Sequence, residues 1–354
     1  MIDSRRLSVR LVLHSSNRAW ILEKFADRLV HHLGEWGVDA DISDMPSASA
    51  DLHHFMMYLH GPKHRVGPAT TLVTHVDRPH KVVALRRVLD QIDVAICVSR
   101  MTVDQLVGFN LPARQLCFVV PGCDPVANPR RTVIVVASRL YRDMRKREDL
   151  LIRLARSMSL ENFQFDILGL GWEEVAAALQ RAGAVVNYFP PSSDYVADHD
   201  LILDRFRGAD YFFYPGLDEG SMGLLDALAL GLPTISTPQG FHLDIPGGLT
   251  HPFWDFPELL AIFERLGAER RNRIDVARRF GWDEYARRHA IIWRAVLERR
   301  DTTDLGTLLD AERSDAHPPP PSRSLLMRRW AQMYFDEGKR ITSYLWKITT
   351  RSSR

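Results

Sequence analysis

The sequence predicts an α/β protein with two parallel-sheet domains, one after the other. Three observations predict it. Short β-branched runs alternate with amphipathic helical stretches, the pattern of parallel sheets covered by helices. The alternation occurs twice, separated by a stretch rich in Pro, Gly and charge at Pro121–Arg131 (PGCDPVANPRR). The chain's 354 residues also exceed what one ordinary core accommodates.

The first alternation opens with SVRLVLH, a helical span from Trp20 to Trp36, and VDADI. Strands at HHFMMYL, TTLVTH, DVAICV and CFVV follow, with helices between several of them, giving a domain over residues 1–125. The second runs through TVIVVAS, FQFDILGL, AVVNYF, DYFFYP and LPTIST and ends near Phe280, giving a domain over 126–283. A closing helix is expected over 284–300, where Tyr285, Ala286, His289, Ile292, Trp293 and Val296 recur at helical spacing. It is able to return to either domain.

Beyond it the composition changes. Residues 301–322 are acidic and polar and end in four prolines, Pro318–Pro321, a stiff spacer. Residues 323–354 carry eight Lys/Arg against two acids, with Leu326, Trp330, Met333, Tyr334, Ile341, Tyr344, Leu345 and Ile348 on one helical stripe. Such a basic amphipathic tail suits an anionic membrane surface. A helix docked on the protein itself or on a second subunit is the other reading.

Composition narrows the classes further. With 45% hydrophobic and 25% charged residues the chain is globular, and a net charge of +2 argues against nucleic acid as a partner. Cys97 and Cys117 sit in apolar runs and read as buried thiols; with Cys123 they are odd in number and lack metal-ligand spacing. No stretch reaches the ~18–20 apolar residues that cross a bilayer. The apolar run near the N-terminus is too short for a signal-peptide core. The expected location is cytoplasmic, peripheral on the membrane through the tail.

The segment Asp210–Asp244, DYFFYPGLDEGSMGLLDALALGLPTISTPQGFHLD, carries the most chemistry. A strand leads into a loop with Asp218, Glu219 and Gly220, and a helix begins near Ser221. Open N–H groups at that helix start suit a diphosphate or the polar face of a sugar. Glu219 at the mouth can accept hydrogen bonds from sugar hydroxyls, and Asp226 falls roughly on the same helix side. Helix-dipole complementation by Glu219 and surface charge at Asp226 are the plainer reading. A second basic loop follows TVIVVAS: Arg139 comes directly after the strand and Lys146 near the first helical turn. Ligands bind at the C-terminal edges of such sheets, so Arg139 and Lys146 are placed to clamp a diphosphate and neutralise a leaving group. Arg142, Arg145 and Arg147 read as solvated charges or a surface for anionic lipid.

The ordered set ICVSRMTVDQL, FVVPGCDP, VASRL…K, ILGLG, DEGSMGLLDALALGLPTI and GWDEYARR, from about Leu72 to Trp293, resembles the retaining GT-B glycosyltransferases of family 4. The resemblance implies a GT-B fold, with two Rossmann-like domains facing across a cleft. It implies that Glu219 positions the donor sugar, that Asp226 binds the nucleotide ribose, and that Arg139 and Lys146 hold the diphosphate. Gly220, Ser221, Met222 and Gly223 would complete the donor site at the helix start, and Gly169 and Gly171 the loop beneath the nucleotide. His75 would face the donor sugar from the first domain. Gly122 would lie in the turn leading to the linker, and Gly240, Phe241 and His242 are secondary candidates for sugar contacts. The implied reaction transfers a sugar from a nucleotide-diphosphate donor to a glycan or lipid-linked acceptor, with retention and without a required metal or cofactor.

Two departures stand out. The family pair Glu-x7-Glu is here Glu219-x6-Asp226, a difference expected to be absorbed at Ser221–Met222. The usual glycine loop after the first strand is replaced by HSSNRAW, in which Ser15, Ser16, Asn17 and Arg18 are candidates for an acceptor phosphate. N-capping of the following helix by Ser16 or Asn17 explains these residues as well. Pro62 interrupts the helical His60/His64 spacing, and His53 and His54 lack suitable partners, so no metal site is expected. Two other functions stay open: a catalytically silent subunit binding a partner transferase, and a nucleotide-sugar epimerase.

Overall fold

The structure, a computed structural model, describes residues 6–141 and 143–302 and scattered positions between 324 and 335. The chain forms two compact units. Unit 1 combines Met1–Pro125 with the chain from Arg278 on, and unit 2 is Val126–Ala277.

Unit 1 contains β1 (Leu7–Val12), α1 (Ile21–Leu33), β2 (Val38–Ser43), β3 (Leu52–Phe55), β4 (Ala69–Val73), α2 (Pro79–Leu89), β5 (Val94–Cys97), α3 (Arg100–Gly108) and β6 (Leu116–Phe118). Its six strands lie in the order β2-β1-β3-β4-β5-β6, paired in parallel, with Leu7 opposite Val38 and Val9 opposite Leu52. The order reverses between β1 and β3. Helix α1 buries Leu22, Phe25, Ala26, Leu29 and Leu33, the apolar stripe of a helix lying on a sheet. It stops short of the expected Trp36. Gly34–Trp36 tighten into a 3-10 turn, and Gly37 closes it in the left-handed region at φ 68°.

Unit 2 contains β7 (Thr132–Ala137), α4 (Asp149–Ser157), β8 (Phe163–Leu168), α5 (Glu173–Arg181), β9 (Val185–Phe189), α6 (Tyr195–Gly208), β10 (Tyr211–Tyr214), α7 (Met222–Ala229), β11 (Thr234–Ser236), β12 (His251–Pro252) and α8 (Phe256–Arg278). The strand order is β12-β11-β10-β7-β8-β9, again parallel. Counted from β7 this is the doubly wound Rossmann order, reversing between β7 and β10. Val133–Val136 are buried without interruption, as expected of a central strand covered on both faces. Strand β12, only two residues long, leaves no pattern in the sequence. The protein is thus α/β with two Rossmann-like sheets.

The last helix, α9 (Trp282–Leu297), packs in unit 1 against α1 and buries Tyr285, Ala286, His289, Ile292, Trp293 and Val296. Trp282 lies flat on Gly122, where a Cβ would come within 2.6 Å of the indole. Its Nε1–H donates to Asp124 at 2.9 Å, and that of Trp293 to Thr70 Oγ1 at 3.1 Å. Cys97 and Cys117 are buried and Cys123 is exposed. Among the described residues no helix is long and apolar enough to cross a membrane. The acidic and proline segment 301–322 and the basic tail 323–354 fall outside the described residues, apart from Asp301, Thr302 and the scattered positions named above.

Candidate functional site

At the strand-order reversal of unit 2, the loop after β7 and the loop after β10 are bonded to each other. Lys146 Nζ donates to Tyr214 Oη and to Asp218 Oδ2, both at 2.6 Å. Tyr214 Oη in turn donates to Asp218 Oδ1 at 2.6 Å. The ion pair is largely withdrawn from water, the two side chains being 12% and 16% exposed. Burial opposes ionisation of Asp218, but hydrogen bonds from Lys146, Tyr214 and Gly220 N–H, with the lysine charge, hold its carboxyl below the usual range. Burial, then the bond to Asp218, push the Tyr214 phenol up. Leu217 N–H adds a bond of 2.7 Å to the Arg145 carbonyl.

The loop after β11 fixes the other side. Thr237 Oγ1 and Gln239 Nε2 both donate to the Gly216 carbonyl, the first at 2.6 Å. His242 is buried, and its Nε2 accepts the Ser221 N–H at 2.8 Å while Nδ1 lies 3.1 Å from the Thr237 carbonyl. Phe241 N–H donates to the Glu219 carbonyl at 3.1 Å, and Gly240, at φ 51°, leaves no room for a Cβ against that carbonyl.

Within this frame the expected donor residues sort themselves. Glu219 is exposed, Asp226 half-buried on α7, and among the described residues neither carboxylate has a hydrogen-bond or ion-pair partner. Glu219 is not on the helix with Asp226: α7 starts at Met222, so a same-side argument from helical spacing does not apply, and the loop carries the shortened spacing. The expectation of open N–H groups from Gly220 onward needs correction. Gly220 N–H bonds Asp218 and Ser221 N–H bonds His242, which leaves those of Met222 and Gly223 open. His242, 1% exposed, caps the helix start from inside.

Lys146 lies in the loop before α4, three residues ahead of its first turn. Arg139 is exposed just past β7, its guanidinium 5.8 Å from the Tyr141 ring. It lines a cavity of about 200 Å³ with Ser138, Gly169, Phe189, Pro190 and Ile202, at the C-terminal ends of β7, β8 and β9. Gly169 sits at φ 131° with the Ser138 carbonyl 2.0 Å from where a Cβ would be, and Gly171 at φ 91° against Leu140. Arg145 is exposed, as a solvated charge would be, and stacks on Tyr141 at 3.9 Å, while Arg147 donates to the Trp254 carbonyl at 2.9 Å. Arg142 lies outside the described residues.

In unit 1, β4 ends at Val73, and exposed His75 follows two residues later. Its Nδ1 is 3.0 Å from Thr74 Oγ1 and its Nε2 3.4 Å from Lys81 Nζ. Ser15–Asn17 form a separate 3-10 turn capped by His14, and α1 has Trp20 at its N-cap with no side-chain cap bond. Ser16 and Asn17 therefore do not cap α1; the chain turns away at Ala19, φ 60°, before the helix starts. Arg18 pairs with Glu23 at 3.6 Å. His14 stacks on His60 at 4.3 Å, at the strand-order reversal of this unit.

Asp218, Tyr214 and the capping role of His242 escaped the sequence reading. Asp218 stands beside Glu219 and invited attention only as a loop acid.

No family model matches the sequence, and no curated protein matches it. Among solved structures the chain is similar to the lipopolysaccharide outer core galactosyltransferase WaaB in its apo form, with 14% identity, a TM-score of 0.34, and coverage of 83% of this chain and 99% of that one. It is similar to a glycosyltransferase from Rickettsia africae at 12% identity and TM-score 0.33, covering 83% and 99%. It is also similar to Anabaena HepE in complex with UDP and glucose, at 12% identity and TM-score 0.30, covering 87% and 100%. These likenesses are weak, and the strand orders above carry the fold assignment.

Proposed function

We propose that the protein is a retaining glycosyltransferase, moving a sugar from a nucleotide-diphosphate donor to a glycan or lipid-linked acceptor in the synthesis of a cell-surface polysaccharide or glycolipid. It works on the cytoplasmic face of a membrane, with the basic tail 323–354 on the anionic surface. The observation that supports this reading is the part-buried Lys146–Asp218–Tyr214 cluster at the strand-order reversal of unit 2. Sheets of this build bind nucleotides there.

In this reading Lys146 and Arg139 neutralise the diphosphate as the glycosidic bond breaks, and the open N–H groups of Met222 and Gly223 add donors at the positive end of α7. Asp218 holds the Lys146 ammonium in position before the donor arrives, so little reorganisation accompanies the reaction. Glu219, without a hydrogen-bond or ion-pair partner among the described residues, accepts from the hydroxyls of the donor sugar, and Asp226 from the ribose. Gly169 and Gly171 let the backbone approach the nucleotide. The role of His75 rests on the resemblance alone.

The test is a thermal-shift titration with UDP-, GDP-, ADP-, dTDP- and CMP-linked sugars on wild type and Arg139→Ala. One donor should raise the melting temperature of the wild type and lose most of that effect in the variant. No response to any donor would overturn the reading and favour a silent subunit.

A further inference from the structure

Unit 2 has a second concavity at the opposite edge of its sheet. It is about 380 Å³ in volume and lies at the N-terminal ends of β7 and β10, walled by one face of α8. Strand β7 runs six residues from this edge to the donor edge, roughly 20 Å at about 3.3 Å per residue. The two sites are therefore distinct.

Four arginines line it: Arg130 and Arg131 from the strand approach, Arg270 and Arg273 from α8. Their neutralisation is incomplete. Asp210 is taken up by Arg130, at 2.8 and 2.9 Å, and by the Val133 N–H at 2.8 Å. Arg273 meets Glu269 only at 4.0 Å. Arg131 reaches the Gly183 carbonyl at 3.4 Å, the long limit of a hydrogen bond. Arg270 is fixed by the carbonyls of Pro129 (2.7 Å) and Arg130 (2.9 Å) and by Asn162 Oδ1 (2.8 Å). Burial, then the charges of Arg131 and Arg273, lower its pKa, so the guanidiniums repel one another across the concavity. The surplus of guanidinium charge is answered by an oxyanion.

We propose that this concavity binds a phosphate-bearing ligand, with the phosphate held between Arg131 and Arg273 and the carrier against Tyr211 and Ile274. Guanidiniums suit this chemistry because their planar forks match phosphate oxygens in pairs. Occupancy would also cross-link the segment that opens unit 2 to α8, both of which Arg270 already joins. The site thus offers a way for a phosphorylated metabolite or headgroup to tighten the unit from the side away from the donor.

The test is calorimetric titration of the full chain with inorganic pyrophosphate, compared among wild type, the double variant Arg131→Ala/Arg273→Ala, and Lys146→Ala. Binding should survive Lys146→Ala and weaken about tenfold or more in the double variant, the loss expected of charge-assisted hydrogen bonds. Arg273 is exposed and Arg131 half-buried with one long bond to Gly183, and an unchanged melting temperature will show that the double variant is folded. Cosedimentation with phosphatidylglycerol vesicles forms the second arm. Arginine-dependent binding to vesicles without binding to pyrophosphate would assign the phosphate to a lipid headgroup. Pyrophosphate binding that disappears with Lys146→Ala and ignores the double variant would overturn the proposal, as would no arginine-dependent binding in either arm.

Discussion

The lysine–aspartate pair that joins the loops after β7 and β10 makes a stability prediction that is independent of any substrate. Lys146→Met leaves Asp218 half-enclosed with only Tyr214 and Gly220 as donors, and should lower unfolding stability at pH 7 by about 2–4 kcal/mol, the cost of breaking an enclosed pair. The folded carboxyl titrates below its ordinary value. The wild type's advantage is therefore complete above the unfolded value of about 3.9 and is lost as pH falls through the lowered folded one. Urea unfolding of both proteins down to pH 3 should show the gap closing; a gap that is constant with pH would refute the pair as its source. His242 makes a second prediction. Truncation to Ala leaves the buried Ser221 N–H without an acceptor and should destabilise by about 1–3 kcal/mol and, under the proposed function, raise the donor KM, whereas His242→Gln, which can still accept, should recover part of both. Neither relation was legible in the sequence, because Lys146 and Asp218 are 72 positions apart and His242 is 21 from Ser221. What was legible is Glu219 and Arg139 themselves, since their position just past a strand end is local information.

Elements were legible to the degree that periodicity spoke for them. Strands β1 to β11 stand where the β-branched runs are, because a buried parallel strand is an unbroken apolar run between turn residues. The errors lie at ends. Gly34 and Gly37 stop α1 early, and Glu219 precedes α7, so the acidic pair spans a loop and a helix. The loop Gly169–Gly171 shows how an element terminus can depend on one atom. Gly169→Ala must place a Cβ 2.0 Å from the Ser138 carbonyl at φ 131°, and should cost at least ~2 kcal/mol in urea unfolding, while Gly231→Ala, with open space at its Cβ, should cost less. Helix α9 predicts an acid response. His54 and His289 are both fully buried, with ring centroids 5.4 Å apart and both Nε2 atoms without a partner. Burial pushes His289 down to about 4, and burial with the neighbouring His289 pushes His54 well below its usual value. Unfolded histidine takes its proton near pH 6.5. Between there and about 4 the unfolded chain holds more protons, so stability is full above pH 6.5 and declines as pH falls toward 4. His289→Leu should flatten this decline, with the difference in melting temperature between pH 7 and 4.5 smaller than in the wild type by about 5–10 °C. An identical slope would place the acid sensitivity elsewhere.

At the scale of the whole molecule, chain order and unit membership part company. The doubling of the α/β pattern is local and visible, but the return of α9 to unit 1 depends on which surface its stripe covers, and a stripe alone does not name its partner. The structure supplies that partner. Trp282, Tyr285 and Trp293 fill the same core as Phe25, Leu29 and Leu52, and Gly122 and Asp124 are shaped around Trp282. Unit 2, by contrast, closes its sheet and both of its cores within the contiguous stretch Val126–Ala277. The two should therefore differ when cut from the chain. Residues 126–277 expressed alone should unfold cooperatively in urea, because no strand of the β12-to-β9 sheet is missing. Residues 1–125 alone retain every strand of their sheet yet leave the apolar face of α1 uncovered by α9. Exposed surface of that kind favours association over a unique fold, so this fragment should aggregate or melt without cooperativity, and adding residues 278–300 as a separate peptide should restore a cooperative transition. A cooperative 1–125 fragment, indifferent to the peptide, would mean that α9 is an accessory to a core that is already sufficient.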